Sequence, residues 1–119
     1  MNADAIPRWR DVPEEHWETW AAVFLASQEG LNLSVPCPVC GAAALHRYFH
    51  LHERKEFQSH GNRFLGRGGL WEWCGRCRAF AHYSAAVPEW WSCDLKVDIN
   101  NLTPHPDAIE EAMQRVNDE

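Results

Sequence analysis

Two C-x₂-C pairs, Cys37-Pro38-Val39-Cys40 and Cys74-Gly75-Arg76-Cys77, stand 33 residues apart and constrain this chain more than any other feature. Each pair presents two sulfurs from one tight turn, so the two together can enclose a single tetrahedral ion. Four thiolates suit Zn²⁺ at about 2.3 Å and leave no open coordination position. The expectation is a structural zinc held by Cys37, Cys40, Cys74 and Cys77. Pro38, Gly41 and Gly75 supply the constrained and permissive backbone positions such turns need. The intervening stretch exceeds the ~15–20 residues usual between paired motifs, which predicts an inserted hairpin plus a glycine-rich loop. A fifth cysteine, Cys93, makes the count odd and argues against a fully paired disulfide framework. Cys93 reads as a small buried hydrophobe.

In Cys37, Pro38, Cys40, Gly41, Cys74, Gly75 and Cys77 the chain resembles the zinc-ribbon proteins. The resemblance covers about residues 35–85. It implies a zinc-pinned arrangement of β-hairpins with all four cysteines as ligands, and it implies no activity, because ribbons serve many functions.

Around this centre the pattern predicts an α+β fold: a zinc-ribbon-like small antiparallel sheet framed by an N-terminal and a C-terminal helix. With 119 residues, a single domain over 1–119 is expected. Its parts are a helix at 11–30, the ribbon core at 35–85, and a strand with the last helix at 86–119. Asp11 is placed as the first helix's cap, Pro13 in its first turn and Gly30 at its stop. Trp17, Trp20, Ala21, Phe24 and Leu25 recur at the spacing of one buried face. From Leu45 to Phe57 the residues alternate, with His46, Tyr48, His50 and His52 on one side and Arg47, Phe49 and Leu51 on the other. Ser59 to Asn62 and the triplet Gly66, Gly68, Gly69 read as turns. Leu70–Trp73 and Ala79–Ala85 read as strands, as does the alternation from Cys93 to Ile99. Ile109, Met113 and Val116 mark the inner face of the final helix.

Charge is uneven along the chain. Residues 1–36 carry a net −4, residues 37–83 carry seven basic side chains against three acidic for +4, and residues 84–119 carry −6. Arg76 and Arg78, beside the second cysteine pair, would offset the −2 charge of a zinc tetrathiolate. The basic centre also offers Arg47, Arg54, Lys55, Arg63 and Arg67, with Tyr48 and Phe64, as an alternative nucleic-acid-binding set. An overall charge of −6 with acidic ends speaks against that alternative.

Catalytic readings fare poorly. A dithiol redox centre wants one pair at a helix N-terminus after a buried strand, and neither pair has that context. His50-Leu51-His52-Glu53 and Pro36-Cys37 to Cys40 contain the elements of a zinc deaminase signature, but in reversed order and with a second cysteine pair left over. The row His46, His50, His52 could bind a second metal, though alternating histidines on a half-exposed strand are more often solvated or hydrogen-bonded. No enzyme is expected.

A binding role remains. Seven tryptophans are many for this length. Trp71, Trp73, Trp90 and Trp91 flank the second pair, three of them expected in the core and one of the adjacent Trp90 and Trp91 exposed. Exposed Trp anchors protein interfaces. Glu89, Trp90, Trp91, Asp94 and Asp98 are the candidate partner-binding residues, against the simpler reading of a solvated strand face. In size, acidity and absence of a catalytic set, the chain is similar to the small bacterial immunity proteins. That resemblance implies tight binding to a cognate, basic toxin domain in the cytoplasm. No apolar run is long enough to span a membrane, and Met1 to Arg10 lacks a secretory pattern.

Overall fold

The computed structural model describes residues 8–28, 30–91 and 95–117. Its centre is a long hairpin. Strand β2 (Leu45–Ser59) turns at His60-Gly61 into β3 (Asn62–Cys74), and both turn residues have positive φ, +51° and +80°. Two consecutive left-handed residues make the tight connection whose twist matches the flanking strands. Strand β4 (Ala79–Pro88) returns antiparallel along β3, and the short β1 (Arg10–Asp11) adds in parallel to the start of β4. The sheet order is β1-β4-β3-β2, so the sheet is mixed rather than wholly antiparallel. Helix α1 (Trp17–Ala26) follows a 3₁₀ turn at Glu14–His16, and helix α2 (Asp107–Asn117) ends the described chain. The arrangement is α+β, with one helix near each end.

Side-chain alternation splits the sheet into two packed faces. On one, Trp20 and Phe24 of α1 meet Leu45, Cys74, Ala79 and Ala81. On the other, Tyr48, Trp71 and Trp73 meet Ile109 of α2. A third cluster of Leu70, Val87 and Trp91 fills the end away from the cysteines.

Several expectations are corrected. Asp11 pairs in β1 and does not cap α1, whose 3₁₀ entry at Pro13 has no side-chain cap. The helix ends at Ala26, short of Gly30. Of its predicted buried face only Trp20 and Phe24 are inside, while Trp17, Ala21 and Leu25 are exposed. A helix laid on a flat sheet buries a narrow line one turn apart, not the wider stripe assumed from the sequence. Gly66, Gly68 and Gly69 lie inside β3 rather than in a turn. The strand pairing shifts between Leu51 and Glu53 and again between Arg54 and Phe57. There a Cβ on Gly66 would collide with the Glu53 carbonyl oxygen, and one on Gly68 would come within 2.5 Å of the His50 carbonyl. Close backbone approach at irregular pairing is what these glycines serve. Residues 95–98 form no strand, and Asp98 caps a 3₁₀ turn at Ile99–Asn101. Cys93 and Asp94 lie outside the described residues. In α2, Ile109 and Ala112 are buried and Met113 packs inward, but Val116 is exposed.

Candidate metal centre

The four predicted cysteines converge. Their sulfurs all lie within 4.8 Å of one another, although they come from the segment before β2, the last residue of β3 and the β3–β4 connection. Sγ of Cys37 is 3.9 Å from that of Cys77, and Sγ of Cys40 is 3.6 Å from that of Cys74. Ligands at about 2.3 Å from a tetrahedral centre stand about 3.8 Å apart along each edge. The observed separations fit that figure, so these residues could hold one metal ion.

Local backbone explains the convergence. In the first turn the Val39 N–H points at Cys37 Sγ at 3.3 Å, and in the second the Arg76 and Cys77 N–H groups point at Cys74 Sγ at 3.4 and 3.5 Å. Donors aimed at sulfur favour the thiolate, the metal-binding form. Each turn closes with an N–H···O=C bond, Gly41 to Cys37 and Arg78 to Cys74, and each closing residue is left-handed, with φ +79° and +68°. Gly75 does not have positive φ; the permissive role expected of it falls to Arg78. Burial pushes the Cys74 thiol up to about 12 and the Cys37 thiol up as well. Burial also opposes ionisation of the more exposed Cys40, but bonds from the Ala42 N–H and from neighbouring cysteines outweigh it and lower that thiol. A divalent cation bound there would supply the positive charge that favours ionisation of the buried pair.

Arg78 serves α2 more than the sulfurs. Its guanidinium donates to Glu110 Oε1 at 2.6 Å and lies 3.7 Å from the Trp9 ring centroid. Glu110 Oε2 also accepts from Trp73 Nε1 at 3.1 Å, so one carboxylate ties the second cysteine turn, β3 and α2 together. Arg76 is exposed.

The remaining predicted site residues scatter. Arg47 is not on the surface: it is buried, with its guanidinium bonded to the Phe24 and Ser27 carbonyls and 4.2 Å from the Trp91 ring centroid. Arg54, Lys55, Arg63 and Arg67 are each exposed in the half of the β2–β3 hairpin nearer its turn. Three of the four tryptophans, Trp71, Trp73 and Trp91, are buried and Trp90 is exposed. Trp91 is therefore unavailable as a partner anchor, whereas Asp98 is exposed and accepts from the Asn100 N–H through one oxygen. Glu89 and Trp90 are exposed at the end of β4. His46 separates from the histidine row by bonding Asn32, leaving His50 and His52 edge to face, 5.6 Å between centroids.

One surface feature was missed. Phe57, 41% exposed, stacks on Phe64 with centroids 5.0 Å apart, and Phe64 lies 6.5 Å from Trp90, itself 36% exposed. In the same part of the sheet, Arg54, Glu56, Arg63 and Glu89 are joined by ion pairs of 3.4 to 3.7 Å. The symmetric placement of Phe57 and Phe64 about the His60-Gly61 turn is its signal in the sequence.

Comparison with known protein families, curated proteins and solved structures returned no match. No helix among the described residues is long and apolar enough to cross a membrane.

Proposed function

We propose that this chain is a non-catalytic, zinc-stabilised protein-binding module of the cytoplasm. Four thiolates with tetrahedral spacing favour Zn²⁺ over harder ions and leave no position for a reacting water. The metal's role is then to tie the start of β2 to the β3–β4 connection, as in the zinc ribbons the cysteine motifs resemble.

The observation that carries the binding role is the aromatic patch of Phe57, Phe64 and Trp90 near the β2–β3 turn. It presents two exposed rings, Phe57 and Trp90, in contact with Phe64, the kind of side chain that anchors an interface centre. The nearby bases do not favour nucleic acid. Arg63 is paired with both Glu56 and Glu89, and Arg54 with Glu56. Glu53 lies in the same stretch of β2 as Arg54 and Lys55. Bases already paired with acids suit a protein partner better than a phosphate backbone. Immunity to a cognate toxin is the specific form of this reading, with Glu89 and Trp90 in contact with the toxin domain.

Affinity capture from the native cell, with and without nuclease, tests the proposal when run beside a Phe57→Ala/Trp90→Ala double variant. One stoichiometric protein that resists nuclease and is lost with the double variant supports it. Protection of cells expressing that protein would establish the immunity form. Loss of all captured material on nuclease treatment would instead assign the hairpin to nucleic acid.

A further inference from the structure

We infer that the outer edge of β4, from Ala81 to Val87, pairs with the same edge of a second copy of this chain. β1 covers β4 only at Ala79 and Phe80. Among the described residues no strand and no backbone hydrogen bond reaches the rest of that edge. Exposed edges are normally guarded by charge, proline or a bulge. This one carries no formally charged residue from Ala81 to Val87, and its pairing to β3 is regular from Phe80 to Val87.

Strand geometry fixes which groups are free. The Arg78 carbonyl points outward, since it accepts from the Arg10 N–H at 3.0 Å. Backbone groups alternate sides along a strand, so His82, Ser84 and Ala86 also point their N–H and C=O outward. An antiparallel pairing centred on Ser84 opposes Ser84 to itself and His82 to Ala86, giving about six hydrogen bonds.

The side chains fit the same register. On the α1 face Tyr83 falls opposite Ala85 of the second copy, and on the α2 face His82 falls opposite Ala86. Each large side chain meets a small one in both directions, as a two-fold interface requires. The ends match too. Pro88, which has no N–H to offer, falls opposite Phe80, where β1 already occupies the edge. Trp17 and Tyr83 border the joint on the α1 face, 42% and 40% exposed, and pairing would cover them. An uncharged seam also suits two copies that each carry −6. A strand from an unrelated protein would find no charge on this edge to select it.

The test is sedimentation of the zinc-loaded full chain from low micromolar to about 1 mM, with amide exchange of His82, Ser84 and Ala86. A dimer is expected, with those amides protected as concentration rises. Ser84→Lys and Ser84→Glu each place like charges across the two-fold axis and should weaken association by about tenfold or more. Their equimolar mixture should restore it. Both variants alter an exposed side chain, and retained metal content and circular dichroism verify their folding. A chain that stays monomeric overturns the proposal, as does a dimer indifferent to both substitutions. Protection of these amides only on addition of another protein overturns it as well, and assigns the edge to that protein's strand.

Discussion

Arg47 Nη1 donates to the Phe24 carbonyl at 2.6 Å, so a guanidinium rooted in β2 closes the C-terminal end of α1. Its other terminal nitrogen reaches the Ser27 carbonyl at 3.2 Å. The last carbonyls of a helix lack internal partners and carry the negative end of its dipole, so a buried cation there satisfies both needs. Removing it takes the charged donor from both carbonyls, of which the Phe24 one is buried, and strips the Trp91 ring of its cationic neighbour. Arg47→Met should therefore cost about 3 kcal/mol in urea unfolding. A stability close to that of the parent chain would show that water replaces the guanidinium.

The metal reading predicts one Zn²⁺ per chain by elemental analysis. Cys40→Ser and Cys77→Ser remove one ligand from each turn, and both should lose the ion and the cooperative fold, because binding and folding are coupled at such sites. Chelator should have the same effect on the parent chain, reversed by added Zn²⁺. A folded, metal-free Cys40→Ser/Cys77→Ser variant would overturn the assignment.

Gly66 and Gly68 occupy β3 where the hairpin's register shifts. Gly68→Ala must displace the His50 backbone, since its Cβ would stand 2.5 Å from that carbonyl oxygen. Gly66 has φ +146° besides its collision with Glu53. Each substitution to Ala should destabilise by about 2 kcal/mol or more. Gly61→Ala makes a useful contrast, because no atom lies within 4 Å of its added Cβ and only the turn's φ opposes it. A Gly68→Ala variant no less stable than Gly61→Ala would mean the strands separate there at little cost.

These residues also show what was legible in the sequence. The cysteine pairs announced themselves, because a metal site demands residue types at fixed spacing and little else competes for that pattern. The strands around them followed from alternation. The glycines of β3 have the sequence signature of turn formers, because the same residue serves a reversal and a close strand approach, and only the partner strand distinguishes them. Arg47 was placed on the surface for a similar reason. Its burial depends on a helix end that sequence put four residues too late. Trp17 and Leu25 fit a helical stripe, yet how much of a stripe is covered depends on what lies beneath it. Glu72 gave no signal at all, since a carboxylate between two tryptophans in sequence does not reveal its depth.

That buried carboxylate sets the last expectation. Glu72 accepts from Trp20 Nε1 at 3.3 Å and from the Tyr83 hydroxyl at 2.8 Å. Burial raises it from 4.5 to about 7, against the opposing pull of those two donors and of Arg47 across the strand pair. An acid whose folded value lies above its unfolded one holds its proton more tightly in the folded chain. Its contribution to stability is therefore complete below about 4.5, falls as pH rises towards 7, and is flat above that. The fall is on the order of 3 kcal/mol. Glu72→Gln keeps an oxygen to accept from Trp20 Nε1 and turns its amide N–H to the Tyr83 hydroxyl oxygen, which then accepts, but it cannot ionise, so it should remove this slope and equal or exceed the parent's stability at pH 8. Urea unfolding of both chains across pH 5.5 to 8 in excess Zn²⁺ isolates the effect, because the cysteines titrate alike in each and cancel in the difference. Parallel stability curves would place the ionised Glu72 comfortably inside the fold, with Arg47 as its effective counter-charge.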